Sequence, residues 1–255
     1  NLAYEIRLQR ALEEDMLCPF HYFGVTDLTV NGEEIDEHAD FNRLTSEERV
    51  DRIVEAARHY GCNDGIVRGL VFCSRKEEAR QLASEFQQRG LRAQALTGND
   101  DESARELAIC RLESLASDPQ KLDYIITVDI FNEGVDIPQV NQIIMLRPTQ
   151  SAIIFVQQLG RGLRKLEGKE KFLTVIDFIG NYQHNYLIPI ALYGDHSFDK
   201  DQIRRLLVSG NDGLPGTSTI NFDLISRERI FENLNQANLH KKRDLQSDYG
   251  LIRNR

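Results

Sequence analysis

Arg161 and Arg164 lie three residues apart in the segment Gln157-Gln158-Leu159-Gly160-Arg161-Gly162-Leu163-Arg164. On a helix, or at its end, that spacing projects both guanidiniums from nearly one face. Each guanidinium carries a permanent charge and a planar fork of donors, so the pair can embrace a phosphate. The chemistry such a pair serves is stabilisation of charge on a transferred γ-phosphoryl group. A bare pair of arginines is more ordinarily a solvated basic face, so the reading depends on its surroundings. Upstream, the stretch TVDIFNEGVDIP runs from Thr127 to Pro138 and starts at the end of an apolar run. In it, Gly134 permits close backbone approach or a positive φ. Asp136 is placed to accept hydrogen bonds from ribose hydroxyls, and Pro138 ends the turn. Taken alone, Asp136 reads equally well as a turn-capping aspartate.

Strands and helices must alternate to position these residues. Short apolar runs at 66–73, 91–96, 122–128, 140–146 and 172–178 read as buried strands. Helical patterns separate them at 75–89, stopped by Gly90, from an N-cap among Asn99, Asp100 and Asp101 to about 115, and at 151–163. Strands apolar on both sides, alternating with helices, predict an α/β fold with a parallel sheet covered on both faces. Right-handed crossovers make it doubly wound, with its loops of interest at the carboxyl ends of the strands. This core is placed at 44–180. Residues 1–43 precede it, with an acidic stretch from Glu33 to Asp40. Residues 181–255 change composition: Tyr182, Tyr186 and Tyr193 cluster, Gly, Pro and Ser concentrate at 209–218, and a helical pattern covers 226–238. They are expected to form a mostly helical C-terminal appendage, with the tyrosines packing it onto the core.

Composition narrows the class. The 255 residues are 41% apolar and 28% charged, as in an ordinary globular protein. No run approaches the ~18 apolar residues that span a bilayer, so no membrane partner is expected. The start has neither the basic nor the apolar region of a signal peptide, and a cytoplasmic location follows as an expectation. The absence of an initiator Met suggests a fragment of a longer polypeptide. Cys18, Cys62, Cys73 and Cys110 lack the paired spacing of a zinc site. No metal ligands are assigned, and Cys73 and Cys110 are expected to be small buried thiols. A net charge of −9 argues against coating nucleic acid over the whole surface. Residues 161–171 nevertheless hold five basic side chains against two acidic ones, so a local basic track is available.

Four segments together resemble the second RecA-like (C-terminal) lobe of superfamily-2 helicases and translocases, over residues 66–178. Thr127 to Pro138 resembles motif V and Gln157 to Arg164 resembles motif VI. Gly69-Leu70-Val71-Phe72-Cys73-Ser74-Arg75 resembles motif IV, and Leu96-Thr97-Gly98 the motif after it. The resemblance implies that Arg164 is an arginine finger, with Arg161 and Gln157 helping to bind the γ-phosphate of ATP. Gly134 and Asp136 would contact phosphate and ribose across an interlobe cleft. Ser74, Arg75, Thr97, Gly98 and Thr127 would lie along the nucleic-acid strand and touch its backbone, which carries no base code. The loop G-x-x-x-x-G-K-[ST] that cradles phosphates is absent, as is a D-E-x-[DH] segment for Mg²⁺. ATP with Mg²⁺ is therefore expected to be bound mainly by a first RecA-like lobe of the same polypeptide, and the isolated chain to be inactive. It also lacks the nuclease pattern H-x-K-x₄-D.

Gln157 stands where DEAD-box RNA helicases have histidine, and residues 146–158 are similar to restriction-enzyme and repair-type motors. The flanks resemble a bacterial group that often carries an N-terminal phospholipase-D-type nuclease domain, with 1–43 similar to the connector from the first lobe. DNA is accordingly favoured over RNA. The alternatives are an RNA helicase lobe, or a non-catalytic helicase-like module that only binds nucleic acid or protein. A binding module has no need of a γ-phosphate sensor, which counts against the latter. A dinucleotide-binding oxidoreductase fails because no G-x-G-x-x-G follows the first core strand.

Overall fold

The computed structural model describes residues 8–30, 33–36, 39–128, 137–195, 197–210, 214–237 and 239. From the amino end, helix α1 (Leu8–Glu13) leads to strand β1 (Phe20–Thr26), the short pair β2 (Thr29–Val30) and β3 (Glu33–Glu34), and helices α2 (Phe41–Leu44) and α3 (Glu47–Tyr60). The alternating region follows as β4 (Gly69–Phe72), α4 (Lys76–Gln88), β5 (Ala93–Leu96), α5 (Glu102–Glu113), β6 (Tyr124–Thr127), β7 (Gln142–Met145), α6 (Ala152–Gly160) and β8 (Leu173–Ile179). Helices α7 (Leu187–Tyr193) and α8 (Lys200–Ser209), strand β9 (Thr219–Phe222) and helix α9 (Leu224–Gln236) complete it.

Seven strands form one sheet in the order β5-β6-β4-β7-β8-β1-β9, and every pairing is parallel. The pleat sends successive side chains to opposite faces. Leu70, Phe72, Ile125, Ile143 and Met145 enter a core shared with α5, α6 and α7. Their neighbours Val71, Ile126, Ile144 and Leu146 enter a second core shared with α3 and α4. Two covered faces explain why these strands read as unbroken apolar runs. The doubly wound sheet expected from the sequence is present.

The sheet reaches beyond 44–180 in both directions. Strand β1 pairs with β8 from Phe20 opposite Leu173 to Thr26 opposite Ile179, and β9 pairs with the other side of β1. The 44–180 core thus marks where the motifs lie rather than the limits of the sheet. The flanks are tied in through polar groups. Asp223, the N-cap of α9, accepts from Ser226 N at 2.7 Å and from Thr26 N at 2.6 Å. Arg229 donates to Ile179 O and to Glu34, each at 2.7 Å. Tyr193 is buried in the core with Tyr186 packed against it, and donates to Gly210 O at 2.9 Å, whereas Tyr182 is buried against Ile35, Ala39 and Leu44 of the amino-terminal segment. Cys73 is buried as expected, but Cys110 is exposed: α5 turns Ala108 and Leu112 inward and leaves Leu107 outside.

Candidate functional site

Ser74, Arg75, Thr97, Gly98 and Thr127 emerge from the carboxyl ends of three adjacent strands. Thr127 is opposite Phe72 on β4 and Leu96 on β5, and Cys73 N donates to Thr127 O at 3.0 Å. Their side chains are not equally available. Ser74 and Gly98 are exposed and Arg75 is half-buried. Arg75 Nη2 donates to Ala39 O at 2.8 Å, which ties it to the amino-terminal segment. Thr97 is buried, and both its N–H and its hydroxyl donate to Asp100, at 2.6 and 3.0 Å. The Thr127 hydroxyl is also buried and has no hydrogen-bond partner among the described residues. Ser74 and Gly98 thus present themselves outward, whereas Thr97 and Thr127 shape the turns beneath.

The arginine segment lies at the opposite edge. Helix α6 buries Phe155 and Leu159 and leaves Gln157 exposed. It stops at Gly160, three residues short of the end expected from sequence. Arg161 is its C-cap, and Gly162 N and Leu163 N close tight turns onto Leu159 O and Gly160 O at 3.0 and 3.3 Å. Arg164 therefore sits beyond the helix, exposed, and helical spacing no longer places it on the face of Arg161. Gly162 explains the early stop. A Cβ there would lie 2.5 Å from Leu173 Cδ1 and 3.2 Å from Ile143 Cδ1, so any larger residue must displace those side-chain tips where the turn presses against the starts of β7 and β8. Gly162→Ala should cost about 1–2 kcal/mol in urea unfolding, and much less in a Leu173→Ala background. Equal costs in both backgrounds would refute the steric account.

Lys171 holds this turn in place. Its side chain is buried, and Nζ donates to Pro138 O, Gly162 O and Arg164 O at 2.5, 2.8 and 2.9 Å. An ammonium has three donors, and each meets a carbonyl. Cys18 N adds a bond to Leu163 O at 2.8 Å, two residues before β1 begins. The arginine turn is thus fixed to the amino edge of the sheet, and the strand-end group occupies the carboxyl edge. Val128 follows the carboxyl end of β6, whereas Pro138 is held at the amino edge. Gly134 and Asp136, between those anchors, lie outside the described residues.

Beneath the strand-end group is a set of buried ionisable side chains that sequence reading left unmarked. Arg49 pairs with Asp27 at 2.7 Å and stands 3.6 Å from Glu78. Burial works against the Arg49 charge, but Asp27 more than offsets it and raises its pKa further. Burial pushes the Glu78 carboxyl up, with Arg49 drawing it back in part. Asp177 accepts from Tyr22 OH at 2.6 Å. Burial pushes Asp177 up to about 7, opposed by that hydrogen bond and helped by the nearby Asp27. Among the described residues no group of three or more His, Cys, Asp or Glu could hold a metal ion. No described helix is long and apolar enough to cross a membrane.

The seven-stranded parallel sheet, with an arginine turn at one edge and polar strand ends at the other, has the fold of RecA-like helicase C-terminal lobes. Residues 48–165, a little under half of the chain, match the helicase conserved C-terminal domain. The ATP-dependent RNA helicase SrmB of Haemophilus influenzae is 28% identical over 128 residues, 50% of this chain and 27% of its own length. Among solved structures, the ATP-dependent type ISP restriction-modification enzyme LlaBIII bound to DNA aligns with 91% of this chain and 18% of its own, at TM-score 0.54 and 17% identity. The yeast DEAD-box splicing factor Prp28 aligns with 88% of this chain and 38% of its own, at TM-score 0.52 and 15% identity. At those identities the likeness is one of fold, and it extends past 48–165 into the flanks. This chain's matches span only 17 to 37% of the curated relatives' lengths.

Proposed function

We propose that this chain is the second motor lobe of an ATP-dependent DNA helicase or translocase. The observation that carries the reading is the anchored Gln157–Arg164 turn, with Arg164 exposed, on a helicase C-terminal domain without a phosphate-binding loop of its own. In this reading ATP and Mg²⁺ are held mainly by a first RecA-like lobe. Arg164 is the arginine finger, Arg161 and Gln157 help to bind the γ-phosphate, and Gly134 and Asp136 contact phosphate and ribose. Ser74, Arg75 and Gly98 meet the strand backbone directly, over turns shaped by Thr97 and Thr127. The lobes close when ATP binds and open after hydrolysis, so the strand contacts advance each cycle.

The isolated chain, by this account, does not hydrolyse ATP with or without DNA. A DNA-stimulated turnover by the isolated chain that Arg164→Ala abolishes would overturn the division of labour. Gln157 and the run at 146–158 favour DNA as the track. The RNA reading is favoured by similarity to three RNA helicases, at 28, 29 and 22% identity. ATPase stimulation of the full-length protein by duplex DNA and by RNA separates the two, and stronger stimulation by RNA would replace the DNA reading.

A further inference from the structure

The exposed turn after β4 rests on charges that have no exposure of their own. Arg49 of α3 donates from Nε and Nη2 to Asp27 at 3.0 and 2.7 Å, and from Nη1 to Leu44 O at 2.8 Å. Glu78, in the first turn of α4, approaches Arg49 Nη1 to 3.6 Å through Oε1. Its Oε2 accepts from Ser74 N–H at 3.0 Å. The side chains of Asp27, Arg49 and Glu78 are all fully buried.

A glutamate at the third helical position that reaches back to a backbone N–H is an ordinary helix-start device. It works in water and needs nothing behind it. Here the carboxylate is out of water, and behind it stands a guanidinium clamped to the end of β1. Burying such charges costs more than well-packed apolar side chains of similar volume would. Two carboxylates to one guanidinium also leave a negative excess, which opposes an anionic strand above it. Stability and charge both count against the arrangement. What it supplies is a fixed direction for the turn, which is tethered on its other side by Arg75 on Ala39 O.

We propose that Glu78 is the positioning residue of this turn. By holding the Ser74 N–H against the Arg49–Asp27 anchor, it sets the Ser74 hydroxyl and the start of α4 where a phosphodiester backbone passes. This rests on the reading of Ser74 and Arg75 as strand contacts.

The test is the affinity of the full-length protein for a single-stranded DNA oligonucleotide, by fluorescence anisotropy over a range of salt, well below the melting temperature. Glu78→Gln keeps the length of the side chain and an acceptor for Ser74 N–H but loses the charge. Glu78→Asp keeps the charge but falls one methylene short. Glu78→Asp is expected to weaken binding about tenfold and to lower the salt slope by about one phosphate contact. Glu78→Gln stays within about threefold of the parent, although it is the less stable variant because Arg49 loses a charged partner. If Glu78 merely stabilises the fold, affinity follows stability and Glu78→Gln binds worse. That order, or no change in either variant, overturns the positioning role. Ser74→Ala/Arg75→Ala separates the premise: unchanged DNA binding there removes the strand-contact reading, and the positioning role with it. Weakened binding there with Glu78→Asp unaffected removes the positioning role alone.

Discussion

Arg164→Ala lowers nucleic-acid-stimulated ATP hydrolysis by the full-length protein about 10³-fold or more, with the lobe still folded. The two halves of that result have separate causes. In the proposed finger role, the Arg164 guanidinium stabilises charge that develops only in the transition state, so kcat drops more than KM for ATP. The fold survives because the turn is anchored through the Arg164 carbonyl, which Lys171 Nζ meets at 2.9 Å, and alanine retains that carbonyl. Arg164→Lys does not restore the rate, since an ammonium lacks the planar fork. Steady-state turnover at saturating nucleic acid, paired with thermal melts, gives the answer. A loss under about tenfold would remove Arg164 from the finger role.

Asp177→Asn makes the lobe more stable at pH 8 and flattens its stability between about pH 4 and 7. The folded carboxyl titrates at about 7, against about 3.9 in an unfolded chain. Between those values the unfolded state has released the proton and the folded state keeps it. The unfolded state then binds fewer protons, and stability falls as pH rises. The contribution is fully present below the unfolded pKa and gone above the folded one. At about 1.4 kcal/mol per pH unit this amounts to about 4 kcal/mol from one side chain. Asparagine retains a carbonyl to accept from Tyr22 OH and has no proton to lose. Chemical unfolding of both proteins at pH 5 and pH 8 measures the difference. Parallel profiles would mean that Asp177 ionises as an ordinary surface carboxylate.

Most of the strands from β4 to β8 were legible because their faces are covered and their sequences are dominated by apolar residues, with only isolated polar positions such as Gln94 and Asp177. Strand β1 was not legible. Its partner residues Leu173 to Ile179 are far along the chain, and Gly24 breaks its apolar run where the Phe222 ring needs the space. Strand β9 is four residues long at the sheet edge, with Asn221 exposed, so local pattern says little. The arginine motif was readable, but the end of its helix was not. Regular spacing carried α6 to Leu163, whereas the close approach of Gly162 to Leu173 turns the chain at Gly160. Lys171, Arg49, Asp27 and Glu78 were invisible for a common reason. A charged residue in a sequence reads as solvated, and only long-range packing takes it out of water.

The separation of the arginine turn from the strand ends sets a gearing ratio for the lobe. Four-residue strands rise about 3.3 Å per residue, and with the loops at each end roughly 20 Å separates the two edges. The sheet is packed on both faces, and close-packed interiors transmit displacement instead of absorbing it. Over a lever of that length, a turn of about 10° driven at the amino edge sweeps the carboxyl edge by about 3.5 Å. Successive nucleotides of a B-form strand are about 3.4 Å apart. In the proposed motor reading, a swing of that size would carry the strand contacts by about one nucleotide, with no bending inside the lobe.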